Sequence, residues 1–193
     1  MEYTPETALI VVDVQNDFAD PNGSLYVTGG EDEIEFVNAQ VAAAKVAGAT
    51  VVRTQDWHPE HTPHFAEDGG IWPAHCVADT WGAEFHPDLV ADGPVIQKGT
   101  GGEDGYSGFT VRNSETGEEQ STGLEQLLRD HGVTSIAVLG LATDYCVLDT
   151  AVDGTRLGFD TTLLADGTRP VNIDPGDGAR AIAEMVACGV KIE

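Results

Sequence analysis

Short, continuous apolar segments alternate with stretches of helical periodicity along most of this sequence. The first, ALIVVDV at 8–14, is an apolar run ending at an acidic residue, and it predicts a strand buried on both faces. Further strands are predicted at 49–55, 94–98, 135–141 and 161–166, with a short sixth at 190–192. Helices are predicted at 31–47, 123–132, 144–157 and 178–189. Strands that alternate with helices form right-handed βαβ units. The sequence therefore predicts an α/β fold with a three-layer αβα architecture, in which the middle layer is a doubly wound parallel sheet of about six strands.

A single domain, residues 1–193, is predicted because no repeat, low-complexity tract or linker divides the sequence. The apolar runs are too short to span a bilayer, and the acidic N-terminus lacks the basic region of a signal peptide. We therefore expect a cytoplasmic protein. Its three cysteines are an odd, sparse set, which argues against a disulfide framework.

Acidic residues dominate the charge of the chain. There are 33 Asp and Glu residues against nine Lys and Arg, giving a formal net charge of −24. Nucleic acid and anionic membranes would be repelled by such a surface, so neither is an expected partner. The acidity indicates either simple solubility or a halophilic protein, because a salt-rich cytoplasm screens heavy self-repulsion.

The carboxyl ends of the predicted strands carry polar residues. In a parallel α/β sheet, chemistry lies just beyond these ends, which directs attention to Asp13, Asp56, Lys98 and the segment 140–146. The stretch 56–93 has little helical periodicity, and a loop of that length in a compact domain is usually functional.

Cys146 lies in GLATDYCV, where a strand is predicted to join a helix. If Thr143 or Asp144 caps that helix, Cys146 falls in its first turn, where the positive end of the helix lowers a thiol pKa. Backbone N–H groups of the same turn would form an oxyanion hole. The alternative is a cysteine that only packs.

Asp13 and Lys98 each close an apolar strand, where an unpaired charge is costly to bury. They form either a structural ion pair or part of a catalytic unit with Cys146. In the second case Lys98 fixes Asp13 and favours the thiolate, while Asp13 carries a proton. Amide hydrolysis needs such a nucleophile, proton carrier and oxyanion donors.

Four of the six histidines fall between residues 58 and 75, and Asp56 stands two residues before His58. In an extended segment these two side chains share a face and can converge on one ion. Imidazole with carboxylate suits zinc, iron or manganese. A solvated loop rich in histidine is the alternative.

Asp13 in DVQNDF, Lys98 in KGT and Cys146 in GLATDYCV resemble, in order and context, the Asp–Lys–Cys triad of the isochorismatase-like cysteine hydrolases. Within that superfamily the chain looks like a nicotinamidase. The resemblance runs from about residue 8 to the C-terminus and implies a six-stranded parallel sheet. It also implies a cis peptide at Leu141–Ala142 and an oxyanion hole formed by the N–H groups of Ala142 and Cys146.

The same resemblance implies one divalent transition metal ion, with zinc ahead of iron and manganese. Its implied ligands are Asp56, His58, His64 and His75; His61 has no counterpart in the family pattern. The implied walls of a pocket for a pyridine ring are Phe18, Trp72 and Tyr106, although aromatic residues otherwise serve mainly in core packing.

The expected reaction is hydrolysis of nicotinamide to nicotinate and ammonia through a thioester on Cys146. The alternative enzyme is another small-amide or isochorismate-type hydrolase of the same fold, which would bind no transition metal. A flavin- or nucleotide-binding module is disfavoured, because DVQNDF rather than a phosphate-binding glycine loop follows the first strand. A small-molecule substrate is the expected partner, and a homo-oligomer remains open.

Overall fold

A six-stranded parallel sheet forms the centre of the computed structural model, which describes residues 1–114 and 116–193. The strands along the described chain are Thr7–Val12 (β1), Thr50–Asp56 (β2), Val95–Lys98 (β3), Thr110–Arg112 (β4), Glu119–Ser121 (β5), Ser135–Leu141 (β6), Asp160–Arg169 (β7) and Lys191–Ile192 (β8). The central sheet has the order β3-β2-β1-β6-β7-β8, and β4 and β5 form a separate antiparallel hairpin. The predicted parallel sheet of six strands is confirmed.

Helices cover both faces of this sheet. The α-helices of the described chain are Asn16–Ala19 (α1), Ile34–Val46 (α2), Leu124–Asp130 (α3), Cys146–Arg156 (α4) and Asp177–Ala187 (α5). Single 3₁₀ turns occur at Glu31–Glu33, Ala66–Asp68 and Trp81–Ala83. Among the described residues, every helix falls short of the length and hydrophobicity that crossing a bilayer requires.

Alternation along β1 divides the core into two halves. Ala8, Ile10 and Val12 point into the cluster under α3, α4 and α5, whereas Leu9 and Val11 point into the cluster under α1 and α2. The buried stripe of α2 consists of Ile34, Val37, Val41 and Ala44. These residues recur at helical spacing in the sequence, so burial of that stripe fixes the helix on the sheet.

The long segment after β2 carries two of the 3₁₀ turns and no α-helix or sheet strand among its described residues up to position 93. The prediction did not include α1 or the hairpin of β4 and β5. The hairpin strands are three residues each and mostly exposed, so they lack the apolar run on which strand prediction depends.

β7 extends to Arg169, three residues beyond its predicted end at 166. Its register on β6 shifts between Val138 and Gly140, after which Gly140 pairs with Thr168 and Leu141 with Arg169. The added residues are polar, so pairing rather than hydrophobicity keeps them in the sheet. This extension brings Thr168 and Arg169 beside the segment that leads to Cys146.

Candidate active site

Three strand ends bring Asp13, Lys98 and Cys146 together. Asp13 follows β1, Lys98 is the last residue of β3, and Cys146 is the first residue of α4, after β6. The Lys98 Nζ atom lies 2.8 Å from Asp13 Oδ2 and 3.7 Å from Cys146 Sγ. All three residues are buried. The predicted juxtaposition of amine, carboxylate and thiol is therefore present, away from bulk water.

Lys98 is held by more than Asp13. Its Nζ atom also donates to Asp56 Oδ1 at 2.5 Å and to the carbonyl oxygen of Gly105. Asp13 in turn accepts a hydrogen bond from Thr54 Oγ1 at 2.6 Å and has a left-handed backbone, with φ of 48°. Such a conformation is unfavourable for a residue other than glycine and is common at functional sites.

Burial and charge set the protonation of this cluster. Burial raises the pKa of Asp13 to about 6, even though Lys98 lowers it. Burial tends to lower the pKa of Lys98, but Asp13 and Asp56 raise it well above its usual value, so Lys98 is an ammonium. Burial would also raise the pKa of Asp56, but Lys98 and His58 together bring it below its usual range.

Burial raises the pKa of the Cys146 thiol well above its ordinary value, and Lys98 only partly counteracts this. This direction is opposite to the lowered thiol pKa that the sequence analysis expected from the helix end and Lys98. The thiol sits in the first turn of α4 as predicted, but the loss of hydration outweighs the helix end and the nearby cation. A neutral thiol beside a carboxylate needs that carboxylate to accept its proton.

The segment before Cys146 contains the expected cis peptide, between Leu141 and Ala142. The predicted cap at Thr143 or Asp144 is wrong, because Tyr145 is the N-cap residue and makes no side-chain cap hydrogen bond. The carboxylate of Asp144 instead accepts the backbone N–H groups of Val171 and Asn172, each at 2.8 Å.

Thr143 is tied to the extension of β7 on both its backbone and its side chain. Its N–H donates to the Arg169 carbonyl at 2.9 Å, and its Oγ1 lies 2.8 Å from Thr168 Oγ1. Gly140 brings the same segment close to β1, since a Cβ at this position would lie 2.1 Å from the Val12 carbonyl oxygen. The backbone next to Cys146 is therefore fixed from two sides.

Three buried histidines, His58, His64 and His75, form a second cluster. Their ring centroids are 4.9–5.5 Å apart, and one ring nitrogen of each lies within 4.8 Å of the others. Neither ring nitrogen of His58 has a hydrogen-bond partner among the residues that the structure describes. An unpaired buried imidazole is costly, so this donor set fits a metal ion.

Burial keeps two of these imidazoles neutral, as metal ligands need to be. It lowers the pKa of His75 to about 4 and that of His64 below its usual value. The Nδ1 atom of His75 lies 2.8 Å from the Pro73 carbonyl oxygen, and that of His64 lies 2.8 Å from Asp104 Oδ1.

Asp56 lies between the two clusters. Its Oδ1 accepts a hydrogen bond from Lys98 Nζ, while its Oδ2 lies 3.9 Å from His58 Nε2. The predicted ligand therefore also belongs to the charge network around the thiol. His61 is exposed, with Nδ1 3.3 Å from Asp68, and stands apart from the three buried histidines.

An apolar pocket joins the thiol to the histidines. The predicted walls Phe18, Trp72 and Tyr106 all line it, together with Cys146, Ala142, Asp56, His64 and His75. Trp72 Nε1 donates to Tyr106 Oη at 2.8 Å. The sequence prediction did not include five further apolar lining residues, Leu25, Val27, Leu141, Tyr145 and Val171.

Gln15 is a functional candidate that the sequence analysis missed. Its side-chain amide donates to the Asp56 carbonyl at 2.7 Å and accepts the Asp56 N–H at 2.8 Å, so it clamps the backbone of that residue. It also donates to the Ala83 carbonyl at 2.9 Å. A buried glutamine directly after a strand was the available signal, but its partners lie 41 and 68 residues away.

The three-layer α/β fold, with a buried thiol in an apolar pocket at the carboxyl edge of its parallel sheet, has the arrangement of a cysteine-nucleophile hydrolase. The family model of the isochorismatase domain matches residues 7–192. The chain therefore belongs to the isochorismatase family.

Individual relatives cover nearly the whole chain. The nicotinamidase of Escherichia coli (strain K12) is 37% identical over 206 residues, covering 97% of this chain and 94% of that protein. The pyrazinamidase of Pyrococcus horikoshii in complex with zinc is 43% identical with a TM-score of 0.86, covering 98% of this chain and 99% of that one. PnC1 from L. infantum in complex with nicotinate is 37% identical with a TM-score of 0.90, covering 100% of this chain and 95% of that one.

Proposed function

We propose that this protein is a nicotinamidase, which hydrolyses nicotinamide to nicotinate and ammonia through a thioester on Cys146. The observation that carries the proposal is the shared pocket. Cys146 lines the same apolar cavity as His64 and His75, so one small aromatic amide can meet both the thiol and the histidine cluster. The similarity to nicotinamidases supports the choice of substrate.

Acylation begins with the carboxylate of Asp13, which accepts the thiol proton as Cys146 Sγ attacks the amide carbon. Lys98, 2.8 Å from Asp13 and 3.7 Å from the sulfur, stabilises negative charge on either group during the transfer. The N–H groups of Ala142 and Cys146 are the proposed donors to the oxyanion. Asp13 then gives its proton to the departing nitrogen as the C–N bond breaks and ammonia leaves.

Deacylation uses the same groups in reverse order. Asp13 removes a proton from water, the resulting hydroxide attacks the thioester carbon, and the C–S bond breaks. The proton returns to Cys146 and nicotinate is released. One carboxylate therefore acts as a base and an acid in both halves of the reaction, which suits a pKa of about 6.

His58, His64 and His75, together with Asp56, are the proposed ligands of one divalent transition metal ion, with zinc the first candidate and iron or manganese the others. When bound, the ion supplies a Lewis-acid position for the pyridine nitrogen of the substrate. The aromatic walls Phe18, Trp72 and Tyr106 orient the ring and exclude water, so the carboxamide is held toward Cys146.

An ammonia-release assay on metal-replete protein tests the proposal, with nicotinamide compared against benzamide at low and at molar salt. Benzamide keeps the ring and the carboxamide but has no ring nitrogen, so we expect it to be a much poorer substrate. Cys146→Ala should reduce nicotinamide turnover by several orders of magnitude. Cys188→Ser, which changes an exposed cysteine, is the matched control and should remain active.

Absence of nicotinamide turnover by the folded, metal-replete protein would overturn the assignment. Equal turnover of both amides by protein that holds no metal would indicate another small-amide hydrolase of the same fold.

A further inference from the structure

The histidine cluster has an outer partner that belongs to neither the triad nor the proposed ligand set. Asp104 Oδ1 lies 2.8 Å from His64 Nδ1, across 40 residues of sequence. His64 is 5% exposed. The contact is therefore a short bond to a buried ring whose other nitrogen, Nε2, remains for a ligand role.

The chemistry of a carboxylate determines the direction of this bond. An ionised carboxylate only accepts hydrogen bonds, so a proton on His64 Nδ1 satisfies this contact and leaves the Nε2 lone pair free. The Pro73 carbonyl has the same effect on His75, because a carbonyl also only accepts. Both rings are thereby held in the tautomer that a metal needs at Nε2.

The hairpin of β4 and β5 holds Asp104 in place. The Asp104 N–H donates to the Arg112 carbonyl and the Arg112 N–H donates to the Asp104 carbonyl, each at 2.8 Å. In addition, Thr62 Oγ1 donates to the Gly102 carbonyl at 2.9 Å, which ties the His64 loop to the Asp104 loop. The backbone that carries the carboxylate is thus fixed relative to the ring.

We propose that Asp104 is a positioning residue that fixes the tautomer and orientation of His64 and so sets the affinity of the histidine cluster for its metal. The proposal rests on the nicotinamidase assignment only for the use of that metal. It assigns a role to the hairpin as well, because β4 provides the backbone partner of Asp104.

Two measurements on metal-free protein test this role. Nitrogen-15 NMR of the histidine rings should show His64 protonated at Nδ1 in the wild type, and a mixture of tautomers in Asp104→Ala. Competition for zinc with a chromogenic chelator should show an affinity about 10–100-fold weaker in Asp104→Ala. Asp104→Asn keeps an acceptor oxygen and should show a smaller loss, and it provides the same readouts if the alanine variant does not fold.

Asp153→Asn is the matched control. Asp153 lines the same polar cavity as Asp104, but its carboxylate contacts Thr110 and Arg156. It should leave both the His64 tautomer and the zinc affinity unchanged. Wild-type zinc affinity in both Asp104 variants, or an equal loss in Asp153→Asn, would overturn the proposal. Failure of the nicotinamidase assignment would appear separately, as absent turnover by the wild type, and leaves the tautomer measurement intact.

Discussion

Single buried carboxyl groups show how position in the fold changes residue chemistry. Asp13 and Glu33 are both almost inaccessible to solvent, and burial raises the pKa of each, to about 6 and about 9 respectively. Asp13 Oδ2 lies 2.8 Å from Lys98 Nζ, whereas Glu33 Oε2 lies 3.9 Å from Arg169 Nη1. The paired carboxyl can ionise near neutral pH and the poorly paired one cannot.

We expect the kcat/KM of nicotinamide hydrolysis to fall on the acid side of about pH 6. Asp13 must be ionised to accept the thiol proton, and its pKa is raised from 3.8 to about 6, so its protonation below pH 6 removes the base. A pH–rate profile measures this limb. The Thr54 hydroxyl lowers the pKa of Asp13 by donating to it, so Thr54→Val should move the limb to higher pH. A limb near pH 4 in both proteins would contradict the raised pKa of Asp13, and a limb that Thr54→Val leaves in place would contradict its assignment as the base.

Glu33→Gln should stabilise the protein at pH 7, by roughly 1–3 kcal/mol. Neither Glu33 carboxyl oxygen has a hydrogen-bond partner among the described residues, and burial raises its pKa from 4.5 to about 9. Since the folded-state pKa lies above the unfolded one, the unfolded state releases a proton that the folded state keeps. Stability is then lost as pH rises from about 4.5 to 9, and glutamine removes this loss.

Denaturant unfolding of both proteins at pH 4.5 and pH 7 measures the effect. The gain should appear at pH 7 and be nearly absent at pH 4.5. Glu35→Gln, on the exposed side of α2, is the control and should change little. An equal gain at both pH values would point to packing rather than ionisation.

Around the nucleophile, a side chain next to one secondary-structure element hydrogen-bonds to the backbone of another instead of capping its own helix. Asp144 precedes α4 in sequence but binds the backbone of 171–172, which follows β7. Val171 from that segment lines the pocket. The junction between β6 and α4 and the segment after β7 are therefore one unit of the binding site.

Asp144→Ala should raise the KM for nicotinamide several-fold more than it lowers kcat. The substitution releases the segment that carries Val171 and leaves Cys146, Asp13 and Lys98 in place, so it removes uniform binding more than transition-state binding. Steady-state kinetics at saturating metal measures the two parameters. Asp174→Ala, at an exposed position in the same segment, is the control. A fall in kcat with unchanged KM would mean that Asp144 supports the nucleophile instead.

The charge of the whole molecule opposes its folding at low ionic strength. With 33 acidic and nine basic residues, most acidic side chains have no basic partner to pair with. The Debye length is about 30 Å at 0.01 M salt and about 3 Å at 1 M. Repulsion at low salt therefore acts across the whole domain, against a stability that is typically about 5–15 kcal/mol.

We expect the Tm to rise between low salt and molar potassium chloride, by roughly 6–12 °C if screening recovers about 3 kcal/mol. Thermal unfolding across that range, with metal content held constant, measures the shift. A flat or falling Tm would exclude the halophilic interpretation and leave the catalytic assignment unaffected.

Local patterns in the sequence were sufficient to predict the central sheet and the buried stripe of α2. They also placed Asp13, Lys98 and Cys146 at strand ends. A buried strand needs an apolar run and a surface helix needs a periodic stripe, so both can be recognised within about ten residues. Because functional residues lie at the carboxyl ends of parallel strands, these positions predicted that the three side chains meet at one edge of the sheet.

Only the tertiary structure decided which polar groups pair. Asp104 with His64, Gln15 with Asp56 and Asp144 with the backbone of 171–172 join segments 27 to 41 residues apart. A carboxylate beside a helix start can cap that helix or bind a distant amide, and local sequence does not distinguish the two. The protonation of the Cys146 thiol also depends on the tertiary structure. Its place in the helix is local, but its pKa follows from burial, which depends on everything packed around it.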